Sequence, residues 1–409
     1  MPSHSFVPLR GILKKARPVD PFALRVTEVR EGNRRGEHIL YHARSARRLR
    51  NNLALDFALG LGRTHRLPVI VAEWLDEPSL TPRTEAFIRA GAGQNAADAE
   101  VRYVFETDRE VIERARYVVT DDFPTLPVPA YATHLVDGNG LLPMRAFAKE
   151  QYSAKFLRDR AHRLFADYWR AGELSGPVHP VLARFLADGL TGYATMRNKS
   201  LRHSSGLSPY LHFGHIGIHE VAERVLFSGA PDEDIDAFLE EAIIRRELSF
   251  NFCFYNPAYA TLDALPEWAK KTLDKHRGDR RKPSYSYEEL ERAETYDEVW
   301  NLSQRQLLAC GTIHGYLRML WGKKIIEWSA TPEEACATMI RLHDLYALDG
   351  RDPNTYAGVL WCFGKHDRPW APERPIFGSI RWMSSEQTAK KVRLKEIEAV
   401  VEKAVSATS

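Results

Sequence analysis

The sequence predicts an amino-terminal α/β domain, built on a doubly wound parallel sheet, and a large all-α domain behind it. In the first part of the chain, short apolar runs of strand length alternate with helical or turn segments. This alternation is typical of a parallel sheet that is covered by helices. After about Ala146 the apolar periodicity becomes helical and stays helical to the end. We therefore predict domains at residues 1–145, including a linker at their end, and 146–409.

The α/β domain is predicted from its strands. Apolar runs of strand length occur at residues 38–41, 67–72, 101–105, 117–120 and 133–136. Between the first two runs, residues 45–61 carry leucine or phenylalanine at every fourth position from Leu49, which predicts a helix. The loop after the first strand reads ARSARR at 43–48 and has no glycine, so a dinucleotide site of the Rossmann type is not supported. A stretch rich in Pro and Gly at 123–142 ends the domain.

The all-α domain is predicted from helical periodicity and from the residues that interrupt it. Long helices are expected at residues 154–171, 236–254, 300–328 and 332–345. Gly, Pro or Asn signals close each of them. Because no strand-like run separates these segments, we expect one large helical domain.

Composition excludes several classes of protein. The chain has 409 residues, of which 44% are hydrophobic and 27% are charged, as in a folded protein of about two domains. The four cysteines form no CxxC pair, so a zinc site is not expected. No apolar run reaches the length of a membrane helix, and the first residues do not resemble a signal peptide. We expect a soluble, cytoplasmic protein without a metal or a membrane partner; the net charge of +3 alone is weak evidence for nucleic acid.

Aromatic residues are concentrated near the end of the chain. Of the nine tryptophans, six follow residue 299: Trp300, Trp321, Trp328, Trp361, Trp370 and Trp382. Such density is compatible with ordinary core packing. It also suits a flat aromatic ligand or stacked bases.

Two polar segments in the helical part have the residue types of a binding site. Tyr193 and Arg197 are four residues apart and share a face if the segment is helical. A serine- and glycine-containing run follows at 204–214, where hydroxyl groups and close backbone approach suit a phosphate, although an ordinary helix cap explains it equally well. Glu241 and Arg245 are also four apart, which by itself is a common surface ion-pair pattern.

Two further segments combine charged residues with tryptophan. Arg318 and Trp321 fall on one helix face, and Trp328 lies two turns beyond Trp321, displaced by roughly 10 Å along the axis. Spacing alone favours a structural stripe. Residues 343–370 join an acidic turn to two tryptophans; a metal site is conceivable there, but no second ligand cluster completes it.

Taken together, these segments resemble class II cyclobutane pyrimidine dimer photolyases, within the photolyase and cryptochrome superfamily. The resemblance covers residues 193–383. Its most specific stretches are SGLSPYLHFG at 205–214, GYLRM at 315–319 with KKIIEW at 323–328, LDGRDPN at 348–354 and ERPIFGSIRWM at 373–383. It implies light-driven repair of pyrimidine dimers in DNA, with FAD folded into a U in the all-α domain and the dimer flipped into a cavity beside it.

The resemblance also implies roles for individual residues. It assigns the flavin diphosphate and ribityl contacts to Tyr193, Ser205, Gly206, Leu207 and Ser208. It places Arg318 and Asp349 as a buried pair beside the flavin ring, with Asp352 close by. Since burying such a pair is expensive, its presence suits a cofactor role better than a stabilising one.

Repair and DNA binding are implied for a second set of residues. Glu241 is expected to hydrogen-bond the dimer, Trp361 to form the aromatic wall of the lesion pocket, and His343 to face the flavin. The electron-transfer tryptophans are expected to be Trp321, Trp300 and Trp328, leading in from the surface. The DNA-binding residues are expected to be Arg197, Lys199, Arg245 and Asp367.

The chain departs from the class II pattern in two places. His343 stands where these enzymes usually carry Asn, and a histidine titrates near neutral pH, so flavin redox behaviour is expected to differ. The amino-terminal half is short, which makes a light-harvesting antenna chromophore doubtful. We therefore place the chain in a short, antenna-poor branch related to class II.

Three other functions remain as alternatives. A cryptochrome-like blue-light sensor has the same fold, but Glu241 and Trp361 favour repair, and only a charged helix follows Met383, in place of a regulatory tail. Repair of the other pyrimidine photoproduct requires two active-site histidines, for which His366 is a poor match. A cofactor-free helical DNA-binding protein would be colourless. We expect a monomer that binds DNA containing pyrimidine dimers.

Overall fold

The sheet of the computed structural model lies in the first third of the chain. The structure describes residues 5–13, 19–76, 80–169, 174 and 176–407. The strands are β1 (Val26–Glu28), β2 (His38–His42), β3 (Val69–Glu73), β4 (Arg102–Phe105), β5 (Ala115–Asp121) and β6 (His134–Val136). Their order is β1-β6-β5-β2-β3-β4, with β1 antiparallel to β6 and all other neighbours parallel. The predicted α/β fold with a mainly parallel sheet is confirmed, and β1 is an additional edge strand.

Helices make up most of the remaining chain. The earlier ones are α1 (Leu9–Leu13), α2 (Leu53–His65), α3 (Pro82–Asp98), α4 (Glu110–Glu113), α5 (Ala154–Tyr168), α6 (Pro180–Asp188), α7 (Tyr193–Met196), α8 (Ser208–His212), α9 (Ile218–Leu226), α10 (Asp232–Leu239) and α11 (Arg246–Tyr255). The later ones are α12 (Glu267–Lys275), α13 (Tyr287–Glu291), α14 (Glu298–Cys310), α15 (Gly315–Trp328), α16 (Pro332–Tyr346), α17 (Pro353–Cys362), α18 (Ser385–Lys391) and α19 (Leu394–Ser406). Short 3₁₀ turns occur at Met144–Ala146, Leu201–His203 and Leu262–Ala264.

Three predicted helices need correction. The helix predicted at 300–328 is two helices, α14 and α15, because Gly311 adopts the left-handed conformation (φ 69°) and ends the first. The helix predicted at 236–254 contains a π-helical segment, Glu240–Arg245, between α10 and α11. The helix predicted at 45–61 starts only at Leu53, where Asn52 caps it. The predicted end of the helix at 171 lies outside the described residues.

The chain divides into two compact units. The first comprises Met1–Leu186 and Gly206–Phe254, and the second Ala187–Ser205 and Tyr255–Ser409. The first unit thus holds the sheet together with helices that the sequence pattern assigns to the all-α part. The boundary predicted at 145–146 separates the α/β part of the chain from the all-α part. The two compact units are defined by contacts instead, so they do not test this boundary, and it stays a prediction.

Both faces of the sheet are covered in the first unit. Ile39 and Val119 point to a cluster that includes Ala54 and Ala58 of α2, whereas Leu40 and Val118 point to a second cluster. Neighbouring residues of one strand therefore serve opposite faces, as strand geometry requires. Because both faces are apolar, the strands read as continuous hydrophobic runs in the sequence.

A buried carboxylate organises the carboxyl edge of the sheet. Asp121, at the end of β5, accepts hydrogen bonds from the backbone N–H groups of Arg44, Ser45 and Ala46 at 2.8, 2.7 and 3.0 Å. It also accepts one from the Tyr41 hydroxyl at 2.9 Å. This edge lies between β2 and β5, where the chain reverses its direction across the sheet and where doubly wound proteins commonly bind phosphates. The N–H donors that such a loop offers are here taken by the protein's own carboxylate.

We expect Asp121→Ala to destabilise the protein strongly, because it leaves three buried N–H groups without their acceptor. The expected loss in free energy of unfolding is about 3–5 kcal/mol. Urea unfolding followed by circular dichroism measures it, with the exposed Asp98→Ala as control. A loss no larger than that of the control contradicts this role of Asp121.

Candidate functional site

The predicted site residues are found in both compact units. The first unit contains Gly206, Leu207, Ser208, Glu241 and Arg245. The second contains Tyr193, Arg197, Lys199, Ser205, Trp300, Arg318, Trp321, Trp328, His343, Asp349, Asp352, Trp361 and Asp367. Within the second unit, four of these residues come together at one place: Arg318, Asp349, His343 and Trp321.

Arg318 and Asp349 form the predicted ion pair. Both terminal nitrogens of Arg318, on the first turn of α15, lie 3.3 Å from one carboxylate oxygen of Asp349. The Asp349 side chain is 7% exposed and that of Arg318 is 29% exposed. The Asp349 backbone carbonyl accepts a hydrogen bond from the Thr355 hydroxyl at 2.9 Å, which ties the acidic turn to α17. The pair thus connects the start of α15 with the turn between α16 and α17.

His343 lies in the last turn of α16, next to this pair. It is buried, and its Nδ1 is 3.2 Å from the Thr355 hydroxyl. Its ring contacts that of Trp321, with centroids 6.5 Å apart and an angle of 64°. The position that departs from the class II pattern therefore lies against the first of the predicted electron-transfer tryptophans.

The three tryptophans form a buried series in which Trp300 contacts the Trp321 backbone and the Trp328 ring. The indole N–H of Trp321 donates to Gln304 at 2.8 Å, and that of Trp300 donates to the Trp321 carbonyl at 3.0 Å. The rings of Trp300 and Trp328 are 5.3 Å apart in an edge-to-face arrangement. All three indoles are at most 2% exposed.

The surface end of this series is not a tryptophan. The three tryptophans were expected to lead in from the surface. Trp328, however, is fully buried and does not reach the surface. Its ring contacts Tyr285 at 5.2 Å and Tyr296 at 5.9 Å, and Tyr296 is 62% exposed. No sequence spacing indicated these tyrosines, because they precede α14 and approach Trp328 only through tertiary packing.

Trp361 occupies the last turn of α17. It is partly exposed, and its ring lies 6.1 Å from that of His366. Asp367 follows in the next loop, where it accepts hydrogen bonds from the Arg368 backbone at 2.8 Å and from the Trp370 indole at 3.3 Å. At the other end of α17, Asp352 is the helix cap and accepts from the Asn354 backbone at 2.9 Å. Asp352 therefore has a structural role whatever its role toward a cofactor.

The segment before α8 agrees in part with its prediction. The guanidinium group of Arg197 lies over the buried Tyr193 ring at 5.5 Å, so the two residues do share a face. Gly206 has a φ of 67°, a conformation that favours glycine. The N-cap residue of α8 is Leu207, which makes no side-chain capping hydrogen bond.

Glu241 lies in the π-helical segment of the first unit. Such segments are rare and are found often at functional sites, because the extra residue changes the direction of nearby side chains. The neighbouring Glu240 is bound by Arg158 at 2.9 Å and lies 3.7 Å from Arg245. Glu241 itself is an exposed residue.

A group of arginines stacked on tryptophan was not predicted from the sequence. Arg368 and Arg381 lie over the Trp370 ring at 4.6 and 5.0 Å, and Arg374 lies over Trp382 at 4.6 Å. All three arginines are exposed. Two of them belong to the stretch at 373–383, so the signal was present, but the stacking itself depends on how the loop folds. We call these five residues the arginine–tryptophan surface.

The described residues were also compared with the requirements of a metal site and of a membrane-spanning helix. Among them, no group of three or more His, Cys, Asp or Glu side chains is placed to hold a metal ion. No helix in this part of the chain combines the length and the apolar character needed to cross a membrane.

Sequence comparison finds close relatives of one kind. No family model matches the chain. A deoxyribodipyrimidine photo-lyase from Oryza sativa subsp. japonica is 35% identical over 86% of this chain and 85% of its own length. One from Methanothermobacter thermautotrophicus is 34% identical over 90% and 95%, respectively. One from Potorous tridactylus is 43% identical over 53% and 41%.

Structural comparison finds the same fold at lower identity. A class III photolyase from Agrobacterium tumefaciens superimposes with a TM-score of 0.65 at 18% identity, covering 89% of this chain and 86% of the other. A Synechocystis cryptochrome gives a TM-score of 0.65 at 12% identity, covering 86% of each chain. These two similarities establish the fold of an α/β part with a helical part.

The acidic turn beside Arg318 leaves no room for a larger residue at Gly350. A Cβ atom there would lie 2.9 Å from the His343 carbonyl and 3.1 Å from the Ala347 carbonyl. We therefore expect Gly350→Ala to lower the free energy of unfolding by about 1–3 kcal/mol. Gly93→Ala, in an open helical position, is the control and is expected to stabilise by up to about 1 kcal/mol. Equal melting temperatures for the two variants contradict the tight fit at Gly350.

Proposed function

The chain belongs to the deoxyribodipyrimidine photo-lyase family, and we propose that it repairs cyclobutane pyrimidine dimers in DNA by electron transfer from light-excited, reduced FAD. Family membership makes it a lyase of DNA repair. The observation that carries the finer proposal is the buried series of Trp328, Trp300 and Trp321, which ends beside His343 near the Arg318–Asp349 pair. A stable fold does not need such a pair, because ion pairs of this burial add little stability.

The residues around the ion pair suit a flavin. The Nε–H of Arg318 is buried and has no acceptor among the described residues, so an acceptor atom of a ligand would complete it. Arg318, Asp349 and His343 would face the ring system, while Tyr193, Ser205 and the residues 206–208 would hold the remaining parts of the molecule. When bound, FAD supplies an electron to the dimer on excitation and recovers it after the ring has opened.

In this proposal the tryptophans conduct electrons inward. Each indole is fixed by a hydrogen bond or by a neighbouring ring, so the separations between them are set by the fold. Burial excludes water, which reduces the solvent reorganisation that accompanies charge movement. Trp321, next to His343, is the innermost donor.

Two residues are proposed to act on the dimer. Glu241, an exposed residue of the π-helical segment, would hydrogen-bond the lesion and stabilise the charge that the lesion acquires. Trp361 offers a partly exposed ring for stacking, which is worth about 1–3 kcal/mol per base. The two carbon–carbon bonds of the cyclobutane ring break, and no atom leaves the DNA.

Binding of DNA is proposed to involve the arginine–tryptophan surface. Exposed guanidinium groups fixed over tryptophan rings suit phosphates and unstacked bases. Arg197, Lys199, Arg245 and Asp367 are proposed as further contacts. We propose that the protein is a cytoplasmic monomer. The short amino-terminal half argues against an antenna chromophore. A blue-light sensor is the second candidate, because a cryptochrome has the same fold.

We expect Glu241→Ala to lower the repair yield about tenfold or more while leaving flavin content unchanged. A hydrogen bond to a charged group contributes about 1.5–3 kcal/mol, which accounts for this factor. The measurement follows blue-light repair of an oligonucleotide containing one thymine dimer by ultraviolet absorbance. Glu233→Ala, on exposed helix surface, is the control. Repair by Glu241→Ala at the rate of this control removes Glu241 from the site.

We expect Trp321→Phe to abolish photoreduction of the oxidised flavin, since it interrupts the series at its inner end. Repair by enzyme reduced chemically beforehand is expected to be nearly normal. Absorption spectra under blue light with an external reductant measure the first effect. Trp169→Phe, equally buried but packed on Phe165, is the control. Normal photoreduction by Trp321→Phe shows that electrons arrive by another route.

A further inference from the structure

The carboxyl end of α17, where Trp361 lies, is held from several sides. The last carbonyl groups of a helix have no partners within it and need others. The Leu360 carbonyl accepts from the Phe363 and Lys365 N–H groups at 2.9 and 3.0 Å, and the Trp361 carbonyl accepts from that of Gly364 at 3.0 Å. Gly364 is left-handed (φ 103°), and a Cβ atom there would lie 2.7 Å from the Trp268 ring.

The carbonyl of Cys362 has a different partner. It accepts a hydrogen bond from the Lys323 ammonium group of α15 at 2.5 Å. Lys323 is only 1% exposed. A cation at this end of a helix is favourable, because the exposed carbonyls carry partial negative charge. Lys323 thus completes the cap of α17 with a side chain from a neighbouring helix.

The two helices meet closely at this point. A Cβ atom on Gly322 would lie 2.6 Å from the Cys362 sulfur, so the glycine allows α15 to approach α17. An alkyl side chain of similar length would fill the space of Lys323 without the cost of burying a charge. A charged group at such a place therefore suits positioning better than stability.

We propose that Lys323 is a positioning residue for the dimer pocket: its buried ammonium group holds the carboxyl end of α17 and thereby the orientation of Trp361. This inference rests on the proposed function, in which Trp361 stacks on the dimer. Lys323 itself touches neither the dimer nor the flavin in this proposal. It acts through the backbone of α17.

The protonation of Lys323 gives the proposal a distinct signature. Burial lowers the pKa of the ammonium group from 10.5 to about 8, although Cys362 and Asp367 act to raise it and Arg381 lowers it further. Burial also raises the pKa of the thiols of Cys362 and of Cys336 on α16. As pH rises through about 8, Lys323 loses its charge, the cap weakens, and the KM for the dimer rises.

Stability has the opposite pH dependence. The unfolded chain keeps the Lys323 proton up to its ordinary pKa of 10.5, whereas the folded protein releases it near 8. Between these values the unfolded state binds more protons, so rising pH favours the folded state through this group. A variant that lacks the ammonium group does not show this rise in stability with pH. Dimer binding and stability attributable to Lys323 therefore change in opposite directions.

The test compares Lys323→Met with the wild-type holoenzyme and with Lys395→Met, an exposed position on α19. Steady-state repair of a dimer-containing oligonucleotide under saturating light gives KM and kcat from about pH 7 to about pH 9.5. We expect Lys323→Met to raise KM about three- to tenfold at neutral pH, to leave kcat within about twofold, and to lose the pH dependence of KM near 8. Trp361→Ala should raise KM as well, and the double variant should be no worse than Trp361→Ala.

Each outcome decides a separate point. A wild-type KM and pH profile in Lys323→Met overturns the inference and leaves the proposed function intact. A normal KM in Trp361→Ala overturns the proposed lesion wall and, with it, the inference. If Lys323→Met does not fold, the wild-type and Trp361→Ala profiles decide: a KM that is constant through pH 8 in wild type contradicts the proposal.

Discussion

The ion pair between Arg318 and Asp349 is the interaction on which the geometry of the candidate site depends, rather than the stability of the fold. It fixes the start of α15 against the turn between α16 and α17. His343 at the end of α16 and Thr355 at the start of α17 are joined to the same turn. Since the pair is largely buried, loss of either partner leaves a charge that is costly to bury alone. These contacts join α15, α16 and α17 around one polar centre.

In the proposed reaction, the residue that supplies electrons and the residue that receives the dimer lie on different helices. α15 carries Trp321, which leads to the buried tryptophan series, while α17 carries Trp361, which is proposed to receive the dimer. The helices are in close contact at Gly322 and Cys362, next to Lys323. In the proposed function, the helix that supplies electrons and the helix that binds the lesion are therefore joined by a contact that takes part in neither process. His343, which departs from the class II pattern, lies against Trp321.

Local sequence signals predicted the elements better than the contacts between them. All five predicted strands are present. The apolar runs of β2, β3, β5 and β6 reflect burial, whereas β4 is a partly exposed edge strand. The three-residue β1 has no such run. Helical periodicity continues across Gly311, so the break between α14 and α15 was missed, and nothing in the pattern indicates the π-helical segment that contains Glu241. The Arg318–Asp349 pair followed from the family motif. The contacts of Trp300 with Trp328 and of arginines with Trp370 depend on tertiary packing that spacing does not encode.

The central claim is that light absorbed at this site drives dimer repair. An action spectrum measures it most directly: the repair rate of a thymine-dimer oligonucleotide by the reduced holoenzyme is determined at successive wavelengths and compared with the absorption spectrum of the same sample. The account predicts that repair follows the absorption of the reduced flavin and stops in the dark. Repair that proceeds in darkness, or a folded, flavin-loaded and reduced protein that repairs nothing at any wavelength, contradicts it.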